Sequence, residues 1–268
     1  MKLVCLLLHA CIVLGLAVAG RTAGAEPAAG AGDLVFCAED ENSFPWLLRD
    51  GTGLNVLMVQ RVGQRVGRTI RIELQPWRRC LQSLQDNRVD GAFKASFKPE
   101  RMKIGAYPMR GSQPDPSRAM LVESYHLYRL KGAVVDWDGV QVTHLEGAVG
   151  AQAGFSIVDH LKRLGVPAEA GVKAPEAILA MLQRGRLGAA ALQTSQGDFE
   201  LGRKPAFAAA IERVGPPLLS QEYYLLLSHA LLQRDGALAE RIWEAVAAVR
   251  ESPEYRAALQ AARAASAP

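Results

Sequence analysis

The feature that most constrains the fold of this chain is a doubled unit. LQSLQDNRVDGAFKAS (residues 81–96) and LAMLQRGRLGAAALQT (residues 179–194) align in register without a gap. Leu81 falls on Leu179, Leu84 on Leu182, Gln85 on Gln183, Arg88 on Arg186, Val89 on Leu187, Ala92 on Ala190 and Ser96 on Thr194. In each copy, leucines at i and i+3 mark one face of a helix. A polar break (Asp86-Asn87, Arg184-Gly185) ends it, and a small-residue apolar run suited to a buried strand follows. Each copy closes on a hydroxyl residue, Ser96 or Thr194, at the C-terminal end of its predicted strand. Open α/β sheets place ligands at that end. Helix-turn-strand units are common enough for a short match to arise by chance, so the rest of the chain must decide whether the repeat is architectural.

The remaining sequence alternates strands and helices. Asp33 to Ala38 reads as a strand, Gly53 to Gly67 as a glycine-ended helix, Arg68 to Gln75 as an alternating strand and WRRCLQSLQ as a helix. After the first copy's strand, Arg118 to Gly132 reads as a long extended segment, and then the pattern restarts. GAVGAQ is a predicted strand, SIVDHLKRLG and PEAILAMLQRG are predicted helices, and RLGAAALQ is a strand. Glu222 to Leu232 is a second long apolar extended segment, and ALAERIWEAVAAVR onward is helical. Strands alternating with helices imply mainly parallel sheets flanked by helices. Two similar α/β lobes joined by two long crossing segments explain the repeat.

The 268 residues are 49% hydrophobic and 22% charged, which suits a globular chain with a sizeable core and no extended disorder. A net charge of +4 with scattered Lys and Arg argues against a nucleic-acid surface. Lys2, the apolar run from Leu3 to Ala19, and Ala23-Gly24-Ala25 before Glu26 have the build of a secretory signal peptide. A retained membrane anchor is the competing reading, because the run approaches spanning length. Cleavage removes Cys5 and Cys11 and leaves Cys37 and Cys80, an even count in an oxidising compartment. A Cys37–Cys80 disulfide is therefore predicted, with two separately buried thiols as the alternative. The histidines (His9, His126, His144, His160, His229) stand apart with no Cys partner, so no metal site is predicted.

Three further segments carry a family resemblance: EDENSFPWLLRDGTGLNV, PWRRCLQSLQDNRVDGAF and SFKPERMKIGAYP. In this order they resemble the acidic-aromatic-Pro start, the Pro-Trp, Leu-x-x-Leu, Val-Asp run and the Ser/Thr-x-x-x-x-Arg motif of bacterial periplasmic solute-binding proteins of family 3. That family is the amino-acid-binding type that serves ABC transporters. The resemblance implies a two-lobed type II periplasmic-binding-protein fold. The signal would occupy residues 1–25, lobe 1 residues 26–123 completed by 222–268, and lobe 2 residues 124–221. It also implies a monomer without a cofactor that holds a small-molecule ligand between closing lobes and meets an inner-membrane ABC permease or sensor.

The candidate site follows from the residues and from that likeness. Ser96 and Arg101 are five residues apart, so a strand-end hydroxyl and a guanidinium can converge on one anion, and arginine binds carboxylates bidentately. Pairing of Arg101 with a surface acid such as Glu100 is the plainer alternative. The resemblance places the carboxylate-binding pair on Arg101 and Ser96, and a ligand-carboxylate loop on Gly154, Phe155 and Ser156. Backbone N–H groups before a helix attract anions there, although Ser156 could equally be an ordinary helix cap. Trp46, Trp77 and Phe155 are candidate cleft walls, and Asp40 matches a position that meets a ligand amine. Gln193 and Thr194 end the second repeated strand. Many family members have an aspartate where this chain has Gln193, and a neutral amide cannot pair with an α-ammonium. Likewise Asp90 of the first copy is matched by Gly188 in the second. The reading is a binding protein for a small carboxylate. The alternatives are an enzyme of the same fold, of the cyclohexadienyl-dehydratase kind, and a ligand-sensing accessory subunit. N-terminal sequencing of the exported protein is expected to begin at Glu26; a start at Met1 would contradict export with cleavage.

Overall fold

The structure, a computed structural model, describes residues 32–265, and the predicted signal segment lies outside them. Strand β1 (Leu34–Glu39) is followed by helix α1 (Leu54–Val66), strand β2 (Ile70–Gln75), helix α2 (Trp77–Gln85) and strand β3 (Gly91–Ser96). A small hairpin of β4 (Met109–Arg110) and β5 (Gln113–Pro114) precedes the long strand β6 (Leu121–Leu130). A second hairpin, β7 (Asp136–Trp137) with β8 (Val142–Thr143), leads into β9 (Val149–Ala151), α3 (Ser156–Arg163), β10 (Ala168–Glu169) and α4 (Pro175–Gln183). Then come β11 (Ala189–Gln193), α5 (Thr194–Arg203), α6 (Pro205–Ala210) and the long strand β12 (Ile211–Leu227). Helices α7 (His229–Arg234), α8 (Gly236–Arg250) and α9 (Pro253–Ala265) end the described chain. Among the described residues no helix is long and apolar enough to cross a membrane.

The doubled unit is architectural. Helices α2 and α4 start and stop at matched positions, as do the starts of β3 and β11. The break between helix and strand is also shared: Asn87 (φ 55°) and Gly185 (φ 68°) occupy the same left-handed turn position. The sheet order β10-β9-β11-β6-β12-β3-β1-β2 reads as two similar halves about the central β6–β12 pair. On one side β3 lies parallel to β1 and antiparallel to β12; on the other β11 lies parallel to β9 and antiparallel to β6. This is a two-lobed α/β fold with two crossing strands. The second crossing segment differs from its predicted span. It begins at Ile211 and ends at Leu227, because Ser228 accepts a hydrogen bond from the Leu231 amide (3.1 Å) and starts α7 where an extended run to Leu232 was expected.

Each lobe has its own apolar interior. In the first, α1 turns Leu54, Met58, Val59 and Val62 onto β1 and β3, and α8 adds Leu238, Ile242, Trp243 and Val246 to the same core. In the second, Ile157 and Leu161 of α3 meet β9 and β11 on one face, while Ile178, Leu179 and Leu182 of α4 cover the other. Gly53, at φ 119°, fixes the entry to α1: a side chain there would meet the Trp46 carbonyl oxygen at 2.6 Å.

Cys37 on β1 and Cys80 on α2 are fully buried and joined in a disulfide, with Cα atoms 5.6 Å apart. The bond ties α2, which begins at Trp77, to the strand that ends at Glu39. Closing a loop of 43 residues' separation restricts the unfolded chain, and the typical gain is about 2 to 4 kcal/mol. Reduction, or the paired change Cys37→Ser with Cys80→Ser, is expected to lower the urea midpoint, with a fall of that order in the unfolding free energy. An unchanged midpoint would contradict it.

Candidate functional site

The ends of β1 and β3 meet the end of β11 and the loop before α3 across a cleft between the lobes. Ser96 is the last residue of β3, and Arg101 sits in a short 3-10 helix, Pro99–Lys103, directly after it. The Arg101 guanidinium donates to the Ser96 carbonyl (2.8 Å) and hydroxyl (3.0 Å), and across the cleft to the Gly154 carbonyl (3.2 Å). Its carbon lies 5.5 Å from the centre of the Trp77 ring, a cation–π arrangement. Only 5% of Arg101 is exposed, and among the described residues no carboxylate pairs with it. The pairing with Glu100 is not formed. A buried guanidinium that keeps its charge and lacks a counter-ion is costly unless an anion joins it.

The cleft wall is built from Trp77, Phe93, Ser96 and Arg101 of the first lobe, Phe155, Ser156, Gln193 and Gln196 of the second, and Tyr125 and Tyr223 of the crossing strands. Glu39, Glu41, Ser43, Leu47 and Lys94 complete it. The free space among these side chains is about 30 Å³, room for one or two water molecules, so the lobes lie closed on each other. Toward solvent, Trp77, Phe155 and Glu39 also border an outer chamber of about 400 Å³ edged by Arg78, Arg79 and Lys173. Phe155 packs against the cores of both lobes, which suits a residue at their junction.

Six of the ten sequence-named residues therefore line the cleft: Trp77, Ser96, Arg101, Phe155, Ser156 and Gln193. Gly154, at φ 81°, contributes its carbonyl to Arg101. The other three are placed elsewhere. Trp46 packs on the first core and donates its indole N–H to Glu123 (2.8 Å). Thr194 opens α5, and its hydroxyl donates to the Ser124 carbonyl (2.9 Å) beside His126 Nδ1 (2.7 Å). Asp40 has one buried carboxylate oxygen without a hydrogen bond, while its carbonyl accepts from Arg49. Ser156 is not the cap of α3: Phe155 holds that position, and the Ser156 hydroxyl instead accepts from Gln221 Nε2 (2.5 Å).

Sequence reasoning named Glu39 and Glu41 only as acids flanking Asp40, and it missed Lys94, Ser43, Tyr125 and Tyr223. The lysine left a signal, a lone charge in the apolar run GAFKAS. Its Nζ donates to the Ser43 hydroxyl and to Gln193 Oε1 (2.9 Å), bridging the lobes. Gln193 passes the connection on, its Nε2 donating to the Tyr223 hydroxyl (2.9 Å) and, more weakly, to that of Tyr125 (3.4 Å). Glu41 is ion-paired with Arg49 at 2.5 Å. Burial, reinforced by Asp40 and Glu41, pushes the Glu39 carboxyl up to about 8, and burial pushes the Lys94 ammonium down to about 8. At neutral pH Glu39 is thus mostly a neutral acid and Lys94 mostly a cation. Lys94 and Arg101 are the basic groups of the inner wall, beside Glu39 and the Arg49-paired Glu41.

No protein-family model matches the chain, and no curated protein matches it. Solved structures do. A histidine kinase sensor domain with similarity to periplasmic binding proteins aligns with a TM-score of 0.68 at 16% identity, covering 87% of this chain and 95% of its own. An ancestral arginine-binding protein bound to glutamine gives 0.67 at 16% identity over 84% and 95%. The GluR0 ligand-binding core of Nostoc punctiforme, in complex with L-glutamate, gives 0.64 at 15% identity over 84% and 96%. The chain has the two-lobed fold of these structures, the type II periplasmic-binding fold.

Between the ordinary carboxyl value of 4.5 and about 8, folded Glu39 holds a proton that the unfolded chain has released. Its contribution to stability therefore declines as pH rises through that window. Glu39→Gln is expected to remove this decline. Urea midpoints of parent and variant at pH 5 and pH 8 test it: the variant should gain on the parent at pH 8 relative to pH 5. An equal difference at both pH values would contradict it.

Proposed function

We propose that this chain is a periplasmic solute-binding protein that captures a small carboxylate-bearing ligand between its lobes and delivers it unchanged to an inner-membrane importer. The observation that carries this reading is Arg101: a buried guanidinium on the cleft wall, stacked on Trp77, held by Ser96 and, among the described residues, without a carboxylate partner. A ligand carboxylate would supply the missing counter-ion, with the Ser96 hydroxyl and the backbone N–H groups at the start of α3 as further donors.

The lobe boundaries proposed from the sequence, after residues 123 and 221, fall opposite each other. Gln221 is the register partner of Glu123, and the hydroxyls of Ser124 and Ser220 lie 2.7 Å apart one residue away. That supports a hinge in which both crossing strands bend at one level. The histidine kinase sensor domain among the structural relatives favours a second destination, a membrane sensor in place of a permease. The same clamp would serve both.

Titration calorimetry against small carboxylates and amino acids, with folding checked by circular dichroism, tests the clamp. Arg101→Ala should weaken binding by roughly thirtyfold or more, because removing one side of a buried charged pair typically costs about 2 to 5 kcal/mol. Ser96→Ala should cost less, since one neutral donor is lost, and Trp77→Ala should weaken binding through lost packing. A folded Arg101→Ala protein that binds like the parent would overturn the reading.

A further inference from the structure

Lys94 occupies its place in the cleft through an irregular backbone. Across β3 and β12, Ala92 pairs with Leu226 and Ala95 with Tyr224, so Phe93 and Lys94 together face the single residue Leu225. This is a β-bulge. It breaks the alternation of the strand: Ala92 and Ala95, three residues apart, pack in one core while Phe93 packs in the other. Lys94 itself lies at φ 59°, in a left-handed region that a lysine seldom adopts. Such strain persists only where surrounding structure imposes it, and it concentrates at functional sites.

The head of the side chain is equally specific. Lys94 Nζ donates to Ser43 of the first lobe and to Gln193 Oε1 of the second, and among the described residues it has no carboxylate in ion-pair contact. Most acceptors that could receive a ligand ammonium are committed; on the inner wall the neutral Gln196 Oε1 is not, and outside it one Asp40 carboxylate oxygen is not. Gln193 Oε1 holds Lys94, Glu41 holds Arg49, and Glu123 takes hydrogen bonds from the Trp46 indole and the Ser195 hydroxyl. The remaining acid of the inner wall, Glu39, is mostly uncharged at neutral pH.

From this geometry we propose that Lys94 is a specificity-determining residue, a cation of the protein's own that makes the cleft select carboxylates lacking an ammonium group over the matching α-amino acids. The inference rests on the proposed carboxylate clamp at Arg101 and adds the class of ligand. An α-amino acid seated with its carboxylate on Arg101 would bring its ammonium into a space already held by a cation. Like charges at close range in a partly dehydrated site repel strongly. A ligand with a methylene in place of the C–NH₃⁺ group meets no such penalty, and an acceptor at its far end could take a hydrogen bond from Lys94.

Matched probes test this: propionate against L-alanine, glutarate against L-glutamate, and 3-phenylpropionate against L-phenylalanine. Each is titrated calorimetrically into the parent, Lys94→Gly, Lys94→Arg and Arg101→Ala. Glycine relieves the positive φ, so Lys94→Gly should fold, and circular dichroism with a thermal melt verifies it. For the pair that binds, the parent should prefer the carboxylate by at least about tenfold. Lys94→Gly should abolish or reverse that preference, and Lys94→Arg should keep it. If carboxylates bind in an Arg101-dependent way but the amino acids bind equally well, or if Lys94→Gly leaves the preference intact, this inference fails while the clamp stands. If no probe binds, or binding ignores Arg101→Ala, the clamp and the inference fail together.

Discussion

Strands β6 and β12 pair antiparallel from Leu121 opposite Tyr223 to Leu130 opposite Ile211, and each carries one lobe's sheet on its outer edge. That pairing is the constraint on which the rest depends. It fixes β3 and β11 as near mirror positions in the sheet and sets the loops that follow them face to face. The ladder is irregular between Val214 and Leu219, beyond the level of the cleft, and regular from Leu219 to Tyr223 where Tyr125 and Tyr223 point into it. Backbone hydrogen bonds of a central pair are shielded on both sides, so the two strands keep their register through the level of the site, where the proposed hinge bends them together.

Closing two lobes over charged groups removes water from them, and the outcome depends on what replaces it. Here the replacements are neutral oxygens: the Ser96 and Gly154 groups for Arg101, Ser43 and Gln193 for Lys94. Hydrogen bonds to a cation compensate part of its lost hydration, but without an anion the field of the cation is left uncancelled. Salt links at the rim, such as Lys98 with Asp159, and the stacked rings of Phe44 and Phe199 at 5.7 Å, hold the lobes together outside this region. Closure is thus stabilised at its edges, and selectivity resides in its interior.

The fold was legible because the two repeated units obey one pattern of apolar spacing, turn and buried strand, which is a backbone property. Arg101 was legible because its distance from Ser96 along the chain is short enough to determine the contact. Thr194 was not, although it matches Ser96. The chain runs from Gln193 straight into α5, so Thr194 is a helix-terminal residue, whereas Ser96 is followed by a loop. Lys94 was hidden by the bulge: strict alternation says nothing of an extra residue whose cause lies in the partner strand. Gly188 departs from Asp90 for a local reason. Asp90 accepts from the Val35 amide (2.9 Å) and pairs with Arg234, while a side chain at 188 would strike the Glu146 carbonyl oxygen at 2.1 Å.

The two interiors also differ in how the chain reaches them. The second lobe's cores draw on residues between Tyr125 and Leu219, whereas the first lobe's main core joins Leu34 through Leu121 to Tyr223 through Tyr255. A chain emerging N-terminus first therefore meets everything the second interior needs before the first can close. Lobe 1 waits on α8, whose Trp243 donates its indole N–H to the Leu225 carbonyl (2.9 Å) at the centre of that core. Long sequence separation makes such closure slow, and the exposed faces of β1 and α1 must stay free of other partners in the interval. The late-arriving C-terminal helices thus govern the order of assembly, and a chain that stopped short of them would retain one finished interior and one open one.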